Sequence, residues 1–427
     1  MTSKPFNIIV SAYACGPNWG SEIGMGWNWV IHLSKHCQLH VITEAGFKEE
    51  IEKKLQELNL DYPPIFYYNC IGNKGRKLFW KQGSFLFYYY YRKWQQNTYK
   101  IAKEIIETND IDLVHQLNMI GFREPGYLWK IKEKPYVWGP VGGYDQMPLS
   151  YIFSLKKQDI LFYGLKNVIN FFQKNLSIRV KKSARAASVL VASTAKAKFE
   201  IDKLSSKKAY LMGETGCNPI DFEIQKAIKK IQTIKILWVG RLQALKSLPI
   251  ALKALSKLKY ELDFELIIIG DGPDEKSNKA LAQKLNLEEN CKWIGRIPNE
   301  EVIAYVRSST IFLFTSLKEG TPHVIMEAIQ NGLPVICHDA CGHGAIIDDS
   351  CGLKIPMINE KLSIELFSKA ILKLANDREL QARLSIGAIK KSNEVTWEAK
   401  ASEMVSLYKT IFEEKNIKNL NKKNLHL

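Results

Sequence analysis

Two cations and two acids in the second half of the chain have the types and spacing to do chemistry. Gly240-Arg241 closes the apolar run Ile234-Lys235-Ile236-Leu237-Trp238-Val239, and Lys246 follows at the mouth of the next helical pattern. A guanidinium is a planar fork and an ammonium a point charge, so together they suit a diphosphate. Further on, the segment from Ser316 to Ala328 holds Glu319 in a loop and Glu327 inside the helix that follows. Pro322 suits a first helical turn, and Gly332 with Pro334 marks that helix's end. The start of this helix, with Gly320, Thr321, Pro322 and His323, is expected to present amides to a phosphate. An ionised carboxylate accepts two hydroxyl hydrogen bonds, so Glu319 and Glu327 are each expected to hold a sugar diol.

A second glycine-rich stretch, Gly16 to Gly26, follows the first apolar run and opens a helix that contains Glu22. Its glycines allow close approach of backbone amides to an anion, but their order is not Gly-x-Gly-x-x-Gly, and no Walker loop is present. Glu44 ends the next strand, where a dinucleotide enzyme carries its ribose-binding acid; this keeps a nicotinamide dehydrogenase as a competing reading. Asp110-Ile111-Asp112 has the spelling of a metal-binding pair but precedes a buried strand, and the eight cysteines lack zinc spacing, so no metal or other cofactor is expected.

Both halves share a rhythm that would position these groups. Strands are predicted at 6–10, 39–43, 64–68, 113–116, 136–138 and 189–192, with helices at 24–35, 48–58 and 89–108 between them. The pattern restarts after a polar connection near 216–233, with strands at 234–239, 264–269, 292–294, 311–315 and 334–337. Helices over 248–258, 274–285, 300–307 and 322–331 separate them. Alternating strands and helices imply parallel sheets covered on both faces. The expected architecture is α/β: two Rossmann-like domains, 1–215 and 216–395, facing each other across a crevice. A helix within 396–427 is expected to pack back on the first domain, followed by a basic tail.

With 46% hydrophobic residues the chain can bury large cores, and its net charge of +16 favours phosphate-bearing partners. No zinc finger, RNA-recognition signature or basic-region heptad is present, so nucleic acid is not an expected partner. A start that leads straight into a strand, no long apolar run and scattered thiols are read as a cytoplasmic chain without signal peptide or membrane span.

These motifs closely resemble the retaining glycosyltransferases of family 4, whose architecture is called GT-B. Glu319 to Glu327 matches that family's pair of acids eight positions apart; Val239-Gly240-Arg241-Leu242 with Lys246, and Gly270-Asp271-Gly272-Pro273, match two further motifs. Trp138-Gly139-Pro140-Val141-Gly142-Gly143 is a weaker match. The resemblance implies transfer of a sugar from a nucleotide diphosphate with retention of configuration. Glu319 would contact the donor sugar, Glu327 the ribose, and Arg241 and Lys246 the departing diphosphate. Gly20 would lend an amide to that diphosphate, and His115 would stand beside the transferred sugar. Glu22, Gly142 and Gly143 are assigned to the acceptor. Ser247, where the family usually has Gly, and His323, in place of Asn or a small residue, depart from the pattern.

Aromatics mixed with lysines, over Lys74 to Trp94 and over Tyr151 to Phe172, suit an anionic membrane interface. The expected acceptor is therefore a saccharide or lipid-linked saccharide, met peripherally on the inner face of the cell membrane. An epimerase or phosphorylase of the same layout competes with this reading, as does a non-catalytic sugar-nucleotide-binding protein.

Overall fold

The computed structural model describes residues 4–72, 85–119, 121–219, 233–320 and 322–424, without the side chains of 85 and 414–424. The chain forms two compact units, one of residues 1–144, 172–214 and 397–427, the other of 145–171 and 215–396.

The first unit holds seven strands: β1 (Phe6–Ser11), β2 (Cys37–Glu44), β3 (Ile65–Asn69), β4 (Leu113–Gln116), β5 (Tyr136–Val141), β6 (Val189–Ala192) and β7 (Tyr210–Leu211). They form one parallel sheet in the order β3-β2-β1-β4-β5-β6-β7. Ile8, Ile9 and Val10 are fully buried, as a central parallel strand covered on both faces requires. The helix Phe85–Thr108 supplies part of that cover. Phe87, Tyr91 and Trp94 lie on its buried side, and the Tyr91 and Trp94 rings meet Tyr13 edge-on at 4.9 and 4.8 Å. The aromatic run expected at a membrane is therefore divided: these three build the core, Tyr88 and Tyr89 are exposed, and 74–84 lie outside the described residues.

The last helix, Trp397–Asn424, belongs to the first unit. Trp397 meets Trp29 edge to face at 6.1 Å, and Lys400 Nζ donates to the Gly213 carbonyl at 2.9 Å. Glu398 receives Lys35 at 2.8 Å and His36 at 2.7 Å. Burial opposes its charge, but these partners and His32 outweigh that and hold its carboxyl at about 2.

The second unit holds β8 (Ile234–Val239), β9 (Phe264–Ile269), β10 (Cys291–Gly295), β11 (Ile311–Phe314), β12 (Val335–His338) and β13 (Gly352–Ile355). Their parallel order is β10-β9-β8-β11-β12-β13. Helices Leu248–Ser256 and Glu360–Asn376 bury Ile250, Leu255, Phe367 and Ile371 in one core. Met147, Tyr151, Ile152 and Tyr163 share that core, and Tyr151 Oη lies 2.6 Å from Ser363 Oγ. The first domain expected over 1–215 is thus not contiguous: 145–171 leaves it, because Met147, Tyr151, Ile152 and Tyr163 pack on the second sheet's helices. Each sheet also has an outer strand, β7 or β13, that the sequence pattern does not predict.

Two buried histidines tie strands to their surroundings as neutral rings. His115 in β4 donates from Nε2 to the Gly139 carbonyl at 2.6 Å and accepts at Nδ1 from Tyr408 Oη at 2.7 Å. His338 in β12 donates from Nδ1 to the Ser316 carbonyl at 3.2 Å and accepts from Ser363 Oγ at 2.9 Å. Burial pushes both rings down from 6.5 to about 4. Between those values the unfolded chain binds the extra protons, so stability falls as pH drops from 6.5 to 4 and levels below. Each ring is expected to cost on the order of 3 kcal/mol by the lower end of that window. Melting followed by circular dichroism checks this, and an unchanged midpoint from pH 7 to pH 4 contradicts it.

Candidate functional site

In the second sheet the chain runs outward from β8 through β9 to β10, then returns to the other side of β8 as β11. The reversal between β8 and β11 leaves two adjacent carboxyl ends whose following loops diverge, the place where open parallel sheets bind ligands. The loop after β8 carries Arg241 and Lys246; the loop after β11 carries Glu319. Ile311 and Phe312 pair with Ile236 and Leu237, which fixes the register of the two loops.

The Gly270-Asp271-Gly272-Pro273 turn supports the first of them. Leu242 N donates to the Asp271 carbonyl at 2.7 Å, and Asp274 N to the Leu242 carbonyl at 3.0 Å. A Cβ on Gly270 (φ +132°) would lie 2.0 Å from the Gly240 oxygen, and one on Gly272 (φ +155°) 2.3 Å from the Leu242 oxygen. Only glycine permits this approach, so the turn acts by holding the Arg241 loop.

Lys246 Nζ and Glu319 Oε2 are 2.5 Å apart, both largely shielded from solvent. The ammonium also lies 5.4 Å from the centre of the Phe314 ring. Leu317 N donates to the Leu245 carbonyl at 2.8 Å and Thr315 Oγ1 to the Lys246 carbonyl at 3.1 Å, joining the two loops. Arg241 is exposed and faces no carboxylate at salt-bridge distance among the described residues. Ser247, the departure from the family pattern, has a left-handed backbone at φ +48° and ψ +47°, a conformation that glycine adopts without cost.

The helix after Glu319 runs His323–Gln330, with Pro322 as its extended N-cap, one residue later than expected. Its first amides have no acceptor within the helix and lie just beyond Gly320. Thr321 lies outside the described residues. Glu327 is half-buried one turn into this helix; desolvation raises its carboxyl above 4.5, against a hydrogen bond from Asn299. Arg241, Lys246, Glu319, Gly320, Pro322, His323 and Glu327 thus all lie on the loops and helix at the ends of β8 and β11.

Three contributors are not singled out by the sequence. Ser316 Oγ donates to Glu319 Oε2 at 3.3 Å; its place three residues before Glu319 is the one signal it offers. Asn299 is visible only as a helix start. His343, in the helix Cys341–Ile346, is fully buried, with its ring 5.1 Å from that of Phe314 and no hydrogen-bond partner on either nitrogen among the described residues. Burial, then the charges of His338 and Lys246, push it down to about 3, so it remains neutral beside the ion pair. Nothing in the spacing of the sequence marks that environment.

The first unit's candidates fare unevenly. Gly20 caps the helix Ser21–Ser34, is exposed, and a Cβ there would meet nothing within 4 Å. Gly24 and Gly26 are instead required by packing, since a Cβ would fall 1.8 Å from the Trp19 oxygen and 2.1 Å from the Ala14 oxygen. Glu22 is half-buried in the same helix's first turn. Gly142 accepts from Phe122 N at 3.2 Å, and the Gly143 carbonyl from Arg123 Nη2 at 3.4 Å. His115 is corrected: it has no exposed surface and both ring nitrogens are spent on Tyr408 and Gly139, so it serves the sheet rather than a substrate. Asp112 accepts from the Asn7 amide at 2.8 Å and Asp110 lies 3.8 Å from Lys4, so this pair closes the entry to β1 and β4.

Residues 220–391 match the family described as glycosyl transferases group 1, and this stretch carries the motifs just described. An uncharacterized glycosyltransferase of Haemophilus influenzae is 31% identical over 172 residues, 39% of this chain and 47% of the relative. An N-acetylgalactosamine-N,N'-diacetylbacillosaminyl-diphospho-undecaprenol 4-alpha-N-acetylgalactosaminyltransferase of Campylobacter jejuni is 33% identical over 149 residues, 34% of this chain and 40% of the relative. The chain therefore spans less than half the length of these curated relatives. The apo lipopolysaccharide outer core galactosyltransferase WaaB aligns over 96% of this chain and 100% of its own, with a TM-score of 0.64 at 16% identity. The expected GT-B fold is thereby borne out.

Replacing Ser247 with Gly is expected to stabilise the protein by about 0.5–1 kcal/mol, the left-handed cost less glycine's extra unfolded-state freedom. Urea unfolding measures it, and a loss of stability contradicts the reading. Because the Glu327 carboxyl is raised, a ligand held by its ionised form is expected to bind less tightly as pH falls through a range above 4.5. Calorimetric titration across that range tests this, with Glu327→Gln removing the transition.

Proposed function

We propose that the protein is a glycosyltransferase that takes a nucleotide-diphosphate sugar as donor and a saccharide, carried on a lipid, as acceptor. The observation that carries the reading is the Lys246–Glu319 pair at the mouth of β8 and β11, with Arg241 on the same loop as Lys246 and facing no carboxylate at salt-bridge distance among the described residues. A bound diphosphate brings the negative charge that this arrangement accommodates: it engages Arg241 and shares Lys246, freeing Glu319 for sugar hydroxyls. Glu327, deeper along the helix, takes the ribose diol. Gly320, Thr321, Pro322 and His323 surround the helix start, whose amides favour the same anion.

In transfer, the bond from the anomeric carbon to the diphosphate oxygen breaks and its electrons remain on the diphosphate. The acceptor oxygen forms the new bond to that carbon and loses its proton. Fixed cations that strengthen their hold as charge develops lower the barrier, and they do so without a resident metal. Retention of configuration rests on the family resemblance. The lipid-linked acceptor draws on the Campylobacter relative, whose name specifies a diphospho-undecaprenol substrate, and on the basic, apolar stretch 151–172. No helix of the described residues is long and apolar enough to cross a membrane, so the proposed location is peripheral, on the inner face of the cell membrane.

A panel of uridine and guanosine diphosphate sugars is expected to include one that raises the melting temperature, and that donor should release nucleoside diphosphate when acceptor is supplied. Lys246→Ala and Arg241→Ala should each slow release by about 10²–10³ while leaving the fold intact. Wild-type rates in both variants, or no donor that stabilises the protein, would overturn the reading.

A further inference from the structure

The helix Lys157–Leu176 packs Ile160 and Tyr163 inward but turns most of its large apolar side chains outward. Tyr163, Asn167 and Asn170 lie on its inner side: Tyr163 is 8% exposed, Asn170 is 5% exposed, and Asn167 Nδ2 donates to the Met147 carbonyl at 2.7 Å. The outer side carries Leu161, Phe162, Leu165, Ile169, Phe172 and Leu176, at the spacing of one helical stripe. Leu161 is 74%, Leu165 58% and Phe172 53% exposed. Single exposed apolar residues are ordinary, but a stripe along twenty residues of helix is an interaction surface.

Charge selects among possible occupants. From Leu149 to Ala186 the chain has eight lysines and arginines and one acid, Asp159; of these cations Lys156, Lys174 and Arg179 pair with Asp274, Glu200 and Glu124 of other elements, and the stretch stays basic with those three set aside. A second copy of the same helix would bring like charge against like charge, whereas anionic headgroups complement it. The helix is not apolar enough to span a bilayer, and the combination of apolar stripe and flanking lysines is that of an element lying in the interface. We propose that the helix Lys157–Leu176 lies along an anionic bilayer, its outward stripe entering the acyl boundary and its lysines meeting phosphate headgroups. This deepens the preceding reading, on which it rests for its purpose: it brings the enzyme to the surface where a lipid-carried acceptor resides.

Flotation with vesicles of phosphatidylcholine containing phosphatidylglycerol provides the test, using the full chain. The wild-type protein should float with these vesicles, bind pure phosphatidylcholine less, and dissociate with added salt. Leu165→Glu/Ile169→Glu should weaken flotation by about tenfold or more, since each buried apolar side chain lost is worth at least that factor. The milder Leu161→Ser/Leu165→Ser should weaken it less, and both variants should keep the wild-type melting temperature. Wild-type protein that fails to float, or equal flotation of the Glu variant, overturns the proposal. So does a wild-type dimer that the Glu variant dissolves, which would assign the stripe to a second copy. Donor-induced stabilisation measured without vesicles separates the two readings: if it persists while flotation fails, only the membrane proposal falls. Flotation without any donor binding would remove only the transferase.

Discussion

Lys246 and Glu319 are drawn together at the point where the second sheet reverses its direction of growth, and much of the surrounding structure is arranged to keep them there. Each sits on a loop that follows a strand, and the strands are neighbours only because the chain returns across β8 to form β11. The loops are then joined through the Leu317 amide and the Thr315 hydroxyl, while two glycines at 270 and 272 let the neighbouring turn press against the Arg241 loop. Opposite charges that neutralise one another offset part of the cost of shielding them from water, and each is supplied with a further contact, Phe314 for the ammonium and Ser316 for the carboxylate. The pair is thus at once a structural clasp and a set of groups that an incoming ligand can repartner.

Much of this is legible in the residues because it depends on local rules. Apolar runs ended by glycine or a small polar residue mark β6, β8 and β9 at their observed limits, and the two acids on either side of Pro322 mark the loop and the helix. What escapes is set by distant partners. β7 and β13 are short outer strands whose pairing depends on the adjacent edge, and neither has a long apolar pattern of its own. The stretch after Tyr144 reads as more of the same α/β alternation, and only the burial of Met147, Tyr151 and Tyr163 reveals which sheet it joins. The role expected of His115 fails for the same reason: its partners are a carbonyl 24 positions away and a tyrosine 293 positions away, which no motif records.

The buried histidines show how one residue type takes different roles through its neighbours. His115 and His338 spend both nitrogens and act as cross-links within their units. His338 also links Ser363 to the Ser316 carbonyl, on the same loop that carries Glu319. His343, equally buried, spends neither nitrogen among the described residues, and burial, aided by His338 and the nearby ammonium, keeps it from taking a charge. Its ring lies 5.1 Å from that of Phe314 as an uncharged neighbour of the Lys246–Glu319 pair.

The path of the backbone carries a practical consequence. The chain passes between the two compact units four times, after residues 144, 171, 214 and 396. Cutting it after residue 214 would not yield two independent pieces: the amino-terminal fragment would retain Met147, Tyr151, Ile152 and Tyr163 without the core they fill, and would lack the helix that covers His115. The carboxyl-terminal fragment would have the reverse deficit. Recombinant halves of this protein would therefore need transplanted segments or a rejoined chain order, rather than a single cleavage point.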